Sequence, residues 1–220
     1  MRELRGVGLI VLLLLCLPIG LAGQPPADVP PGGDALLRLI WNGVQEAQKK
    51  YTTGRGTITE TRTSQLLARP LVFRGKFYAS GTTRFSLEYS APDPVRVVFS
   101  GDYLNVTTGK QHSTTEVIRI GHHVRRTQAY FSRENSLANL KKSFTISVRE
   151  NKTYYEMKLV PKAERFKRRV NYVVVRLSKP EFLLRSLEVD GTSGVNSRFD
   201  IQLDALNAPI ADEVFKVYHP

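Results

Sequence analysis

From Gly56 almost to its end, this chain alternates apolar and polar residues with a period of two. Residues 71–94, LVFRGKFYASGTTRFSLEYSAPDP, show the pattern most clearly. Leu71, Phe73 and Phe77 fall on one side of a first run, and Phe85, Leu87 and Tyr89 on one side of a second. Successive side chains of a strand point to opposite faces, so these two runs predict a hairpin with one strongly apolar face. Comparable runs lie at 56–64, 70–79, 82–90, 94–100, 102–107, 115–120, 143–150, 153–160, 169–178, 182–190, 195–203 and 212–218. Turn-forming separators such as SGT, SAPDP, TTGK, REN, SKPE and DGTSG divide them. Many short strands at this spacing predict an antiparallel sheet that curls heavily or closes. The apolar face of such a sheet either fills a core or lines a space for hydrocarbon, and alternation is compatible with both.

Two stretches break the period. DALLRLIWNGVQEAQKKY, residues 34–51, repeats Leu36, Leu37, Ile40, Val44, Ala47 and Tyr51 at helical spacing, and Asp34 is placed to cap that helix. Residues 127–143, TQAYFSRENSLANLKKS, alternate poorly and fit short helices carrying Tyr130, Phe131, Leu137 and Leu140. Ahead of these, Arg2 and Arg5 precede the uncharged apolar stretch GVGLIVLLLLCLPIGLAG. A basic start, an apolar run broken by Pro18 and a small-residue end describe a secretory signal peptide over 1–23, with an uncleaved anchor helix as the alternative. QPPADVPPGG, residues 24–33, reads as an extended linker, and 34–220 as one domain. The single cysteine, Cys16, lies in the apolar run, so the exported chain is expected to lack thiols and disulfides. Export without cysteine points to a bacterial periplasm.

Charge and motifs narrow the chemistry. With 32 Lys+Arg against 20 Asp+Glu the chain carries +12, which calls for an anionic partner. Basic residues gather at Arg125-Arg126, at Lys141-Lys142 and in KAERFKRR, residues 162–169. Export argues against nucleic acid and for anionic lipid headgroups, unless the loop is simply solvated. No phosphate-binding glycine loop, dinucleotide fingerprint or nucleophile elbow is present. His122 and His123 are neighbours that point apart on a strand, while zinc needs three or four converging ligands. The chain is read as neither an enzyme nor a metal or cofactor protein.

Several segments then line up with one family. TTRFSLEYSAP resembles the P-x-x-F-R-W-E-Y-x-x-P motif of the LolA family of periplasmic lipoprotein carriers and lipoprotein-sorting proteins, with Phe85, Glu88, Tyr89 and Pro92 matching. VFSGDYLNVT is similar to the family's next hairpin through Gly101 and Leu104. YYEMKLVPKAERF, YVVVRLSKPEFLLRSLEVDG, SRFDIQL and DEVFKVYHP resemble its later strands, the last as a closing strand. Ser86 stands where many members have arginine, and Leu87 and Asn105 where they have tryptophan. Proteobacterial members also carry a C-terminal tail beyond the segment where this chain stops.

The resemblance implies a mainly β fold with an α lid: an open, strongly curved antiparallel sheet, an unclosed barrel, covered by helices around an apolar cavity. Its cavity wall is then expected from Phe73, Phe77, Phe85, Leu87, Tyr89, Val97, Phe99 and Leu104. Trp41, Phe131 and Leu137 are the lid candidates, and Lys162, Arg165, Lys167 and Arg168 the headgroup contacts. The implied function is carriage of lipoprotein acyl chains from inner to outer membrane by a monomer. Implied partners are an inner-membrane release complex, an outer-membrane acceptor and, in passing, an anionic membrane surface. Carriage of another lipid on the same fold, such as an anionic phospholipid or a lipid-linked intermediate, is the alternative.

Overall fold

A computed structural model of the chain describes residues 33–109, 113–120 and 137–218. Helix α1 (Gly33–Lys50) comes first and buries Leu36, Leu37, Ile40, Val44 and Ala47, the stripe that its periodicity predicts. Asp34 sits inside its first turn rather than at a cap, because the helix already begins at Gly33; its carboxylate instead takes Lys141 Nζ at 2.7 Å. Lys49 and Lys50 occupy the last turn, where cations complement the helix dipole.

Six strands follow: β1 (Thr53–Ser64), β2 (Leu71–Ser80), β3 (Arg84–Ala91), β4 (Val95–Ser100), β5 (Tyr103–Thr108) and β6 (Thr114–Arg119). Helix α2 (Leu137–Ser143) leads into β7 (Phe144–Glu150) and β8 (Tyr154–Pro161). After the one-turn helix α3 (Glu164–Lys167) come β9 (Val170–Ser178), β10 (Leu184–Gly191) and β11 (Val195–Leu206). All eleven form one antiparallel sheet in the order β6-β5-β4-β3-β2-β1-β11-β10-β9-β8-β7. First and last strands therefore meet in its middle, while β6 and β7, which are neighbours in sequence, are its two outer edges. The sheet is not closed into a barrel.

Curvature has identifiable sources. Register shifts fall at Arg55/Gly56 on β1 and at Arg74/Gly75 on β2, and an extra residue in one strand bends it and sharpens its twist. At Gly75 the neighbouring strand comes so near that a Cβ would stand 2.3 Å from the carbonyl oxygen of Glu88. Only glycine permits that approach. The concave side gathers one apolar cluster from both halves of the sheet and from α1, including Phe77, Phe85, Phe99, Met157, Val175, Leu187 and Phe199. Burying side chains of this size stabilises the fold by roughly 1.5–3 kcal/mol each.

The predicted strand at 212–218 is not a strand. Residues Asp212–Phe215 form a 3-10 turn, and the segment after it crosses the convex side of β3, β4 and β5. β11 ends at Leu206 beside β1, so this segment has no sheet edge within reach and is held by side chains instead. Arg84 pairs with Asp212, Arg96 donates to the carbonyls of Glu213 and Val214, and Asn105 bonds both backbone groups of Tyr218. Phe215 is buried there under the Arg84 guanidinium. That cover explains why Ser86, Val98 and Asn105 are buried although they face away from the concave side.

Candidate functional site: the concave apolar face

Register, more than sequence, brings the predicted wall residues together. Phe77 lies opposite Leu87, Leu87 opposite Val97, and Val97 opposite Val106, forming one row across β2 to β5. A second row runs Ala79, Phe85, Phe99, Leu104, Ile118 across β2 to β6. Paired side chains on one face stand close enough to touch, so each row is a continuous apolar band. Phe77, Phe85, Leu87, Tyr89, Phe99 and Leu104 are buried in the common cluster, with Phe73 and Val97 half-buried against it. All eight residues thus share the concave face, and the stripe of α1 belongs to the same cluster.

The far half of that face was not singled out from the sequence. Met157, Leu159, Val173, Val175, Leu187, Val189 and Phe199 complete it from β8 to β11. Their alternation is partly hidden, because Val174 is buried on the opposite face between Val173 and Val175. Phe182 is a further contributor, from the turn between β9 and β10. It adopts a left-handed backbone (φ 54) and stacks on Tyr155 with ring centroids 4.9 Å apart.

One polar cluster interrupts the hydrocarbon. Glu60 projects from β1 onto the concave face and is only 1% exposed. Its carboxylate takes Arg62 Nε on one oxygen and the Tyr89 hydroxyl at 2.6 Å on the other. The Arg62 guanidinium lies 4.5 Å over the Phe73 ring, which in turn contacts Tyr89 with centroids 5.7 Å apart. Burial, and after it the Glu60 carboxylate, push the Tyr89 phenol well above its ordinary value. The cluster neutralises itself and ties β1 to the motif-bearing β3 across β2; its groups are consumed by one another and offer no nucleophile. No group of three potential metal ligands occurs among the described residues. The histidines and the Arg125-Arg126 pair lie outside them.

Of the lid candidates, Leu137 on α2 packs against the cluster, and Leu140 beside it is fully buried. Trp41 stands half-buried next to the α1 stripe and outside the cluster, and Phe131 lies outside the described residues. The basic loop is exposed throughout at Lys162, Arg165, Lys167 and Arg168. Lys167 pairs with Glu164 at 2.8 Å and holds that carboxyl below its usual range, while Lys162 Nζ donates to the carbonyl of Lys141 at 2.6 Å. No helix of the described residues is long and apolar enough to cross a membrane.

A family model described as outer membrane lipoprotein carrier protein LolA matches residues 50–218. The chain belongs to the LolA family. No curated protein matches it. Among solved structures it is similar to a LolA superfamily protein from Nitrosomonas europaea, at 12% identity and TM-score 0.41, covering 82% of this chain and 97% of that one. It is also similar to an uncharacterised conserved protein from Thermus thermophilus, at 6% identity and TM-score 0.51, covering 84% and 93%. The MucA/MucB complex of Pseudomonas aeruginosa matches at 11% identity and TM-score 0.46, covering 84% of this chain and 60% of that one. At such identities the likeness is one of fold. The carriers and sorting proteins of this family bind rather than transform, in keeping with a site built of hydrocarbon and one self-neutralised ion cluster.

Proposed function

We propose that the protein is an extracytoplasmic carrier that shelters the acyl chains of a lipoprotein against its concave face and moves them from inner to outer membrane. The observation that carries this reading is the family match over 50–218, joined to a concave face on which two rows of apolar side chains run unbroken, one across four strands and one across five. Exposing acyl chains to water costs about 0.8 kcal/mol per methylene, so a chain of roughly fifteen methylenes faces a barrier of about 12 kcal/mol. A carrier that replaces the bilayer with another apolar surface brings the net transfer near zero. In this reading α1 is the displaceable part: Leu36, Leu37, Ile40, Val44 and Ala47 cover the concave face when no cargo is present, and an acyl chain takes their place. Direction then comes from release at the donor membrane and a better acceptor downstream.

The exposed cations at Lys162, Arg165, Lys167 and Arg168 favour a second cargo, a free anionic glycerolipid. One experiment tests both. The exported protein is purified without detergent, its bound material is identified by mass spectrometry, and a fluorescent fatty acid is displaced by a triacylated peptide or by phosphatidylglycerol. Co-purified acylated peptide and displacement by the triacylated probe are the expected results. Displacement by phosphatidylglycerol alone selects the second cargo, and an absence of any acyl binding overturns the carrier reading.

A further inference from the structure

Among the described residues β7 is an outer edge of the sheet: it pairs with β8 on one side, and α1 and α2 pack against it but no strand lies beyond it. Natural edges are blunted by charges, proline, bulges or covering segments. The opposite edge, β6, carries Glu116 and Arg119 within its six residues. In β7 the charges, Arg149 and Glu150, stand only at the far end; its first five residues, FTISV, carry no charge, no proline and no glycine, and its register with β8 runs without a shift.

The ladder tells which backbone groups are unused. Lys162 N–H donates to Ser143, and Asn151 N–H to Tyr154, and both pairs belong to the register that sets Phe144 opposite Pro161. Antiparallel partners alternate between pairs that exchange hydrogen bonds and pairs that do not. Residues 145, 147 and 149 therefore bond to β8, while Phe144, Ile146 and Val148 turn their N–H and C=O groups to the free side. A groove of about 510 Å³ runs along that side, bounded across from β7 by Asp34 and Leu37 of α1. The side chains of Phe144, Ile146 and Val148 are half-buried against the apolar cluster. Lys141 and Lys162 rim the end of the groove near Phe144, with exposed Lys142 next to Lys141 in sequence, and among the described residues the one carboxylate lining it, Asp34, is already paired with Lys141.

We infer that this groove takes an extended peptide segment of a partner protein, added as a twelfth strand to β7, with alternate apolar side chains and acidic residues toward the lysine end. A hydrocarbon chain fits worse, because it would cover the free amides and carbonyls without bonding them, and each unpaired buried group costs about 1–3 kcal/mol. A strand bonds them, and side-chain alternation supplies the selectivity. The inference applies to the cargo-free arrangement, in which α1 lies on the concave face and supplies that wall of the groove.

Hydrogen exchange read by NMR, on the whole exported protein, tests it with a synthetic peptide of alternating valine and threonine bearing aspartates at both ends. The amides of Phe144, Ile146 and Val148 are expected to exchange rapidly alone and slowly with peptide. N-methylation of one alternate set of peptide amides should weaken binding about tenfold or more, and methylation of the other set should not. Lysines in place of the aspartates should weaken it as well. Equal binding by both methylated peptides overturns the inference, as does protection of these three amides before any peptide is added. So do an absence of protection with peptide, a dimer formed through β7, or the same protection produced by palmitate.

Discussion

At the residue scale the Glu60–Arg62–Tyr89 cluster makes the sharpest commitments. Tyr89 donates to a carboxylate that water does not reach, so Tyr89→Phe leaves one oxygen of Glu60 short of a donor and is expected to cost about 1–3 kcal/mol. Arg62→Ala removes the charge partner itself and is expected to cost about 3–5 kcal/mol. The two differ in their pH dependence. The Tyr89 phenol is raised in the folded state, chiefly by burial. Below the ordinary tyrosine value, near 10, both folded and unfolded chains hold that proton and the contribution is complete. Above it the unfolded chain releases the proton while the folded chain keeps it, so stability falls by about 1.4 kcal/mol per pH unit. Urea unfolding at neutral and at alkaline pH should therefore show the wild type losing more than Tyr89→Phe over that interval. Parallel losses would place the raised phenol elsewhere. Tyr89 was legible in the sequence through its motif, but its partner was not. In ITETRTS a charge in phase with Ile58 reads as the wet end of a strand, and only the fold shows that β2 and β3 bring Phe73 and Tyr89 over it.

At the scale of elements, α1 and the β9–β10 turn are coupled through Gly43. A glycine inside a helix ordinarily destabilises it by roughly 0.5–1 kcal/mol relative to alanine. Here a Cβ on Gly43 would stand 2.6 Å from three atoms of the Phe182 ring. That ring has little room to yield, being buried and stacked on Tyr155. Gly43→Ala is expected to destabilise by about 1–3 kcal/mol, and Phe182→Ala by about 3–5 kcal/mol. Made together they should not add, since alanine at 43 becomes harmless or better once the ring is gone. Additive losses in a thermal double-mutant cycle would show that Gly43 has another reason to be there. The convex-side segment is a second such case. Phe215→Ala should cost about 3–5 kcal/mol although the residue belongs to no strand, because its ring fills the cover over Ser86 and Val98. Eleven strands and the N-terminal helix were legible, because alternation and the 3.6-residue period are local signals. The twelfth was misread because FKVYHP alternates as a strand does, and whether a partner edge is within reach is a property of topology alone.

For the whole molecule, a net charge of +12 needs a distribution before it has a consequence. The sequence placed one concentration at residues 162–169, and the fold leaves its cations exposed on a one-turn helix between β8 and β9. Lys162, Arg165, Lys167, Arg168 and Arg169 against Glu164 give that loop +4, five cations less one carboxylate. Near an anionic bilayer each basic residue contributes about 1 kcal/mol, so the loop supplies roughly 4 kcal/mol, a dissociation constant near millimolar. Such binding is too weak to hold the protein at a membrane and strong enough to bring it there repeatedly, as the proposed carriage, in which the protein must also leave, would require. It should vanish as the screening length shrinks from about 10 Å at 0.1 M salt to about 3 Å at 1 M. Co-sedimentation with phosphatidylglycerol vesicles at low salt, little binding to phosphatidylcholine and loss at high salt are expected. Replacing Lys162, Arg165, Lys167 and Arg168 together by alanine should abolish the association while leaving the unfolding midpoint nearly unchanged, since exposed charges contribute about 0–1 kcal/mol to folding. Binding that persists in that variant, or that is equal on neutral vesicles, would move the membrane contact to an apolar surface of the molecule.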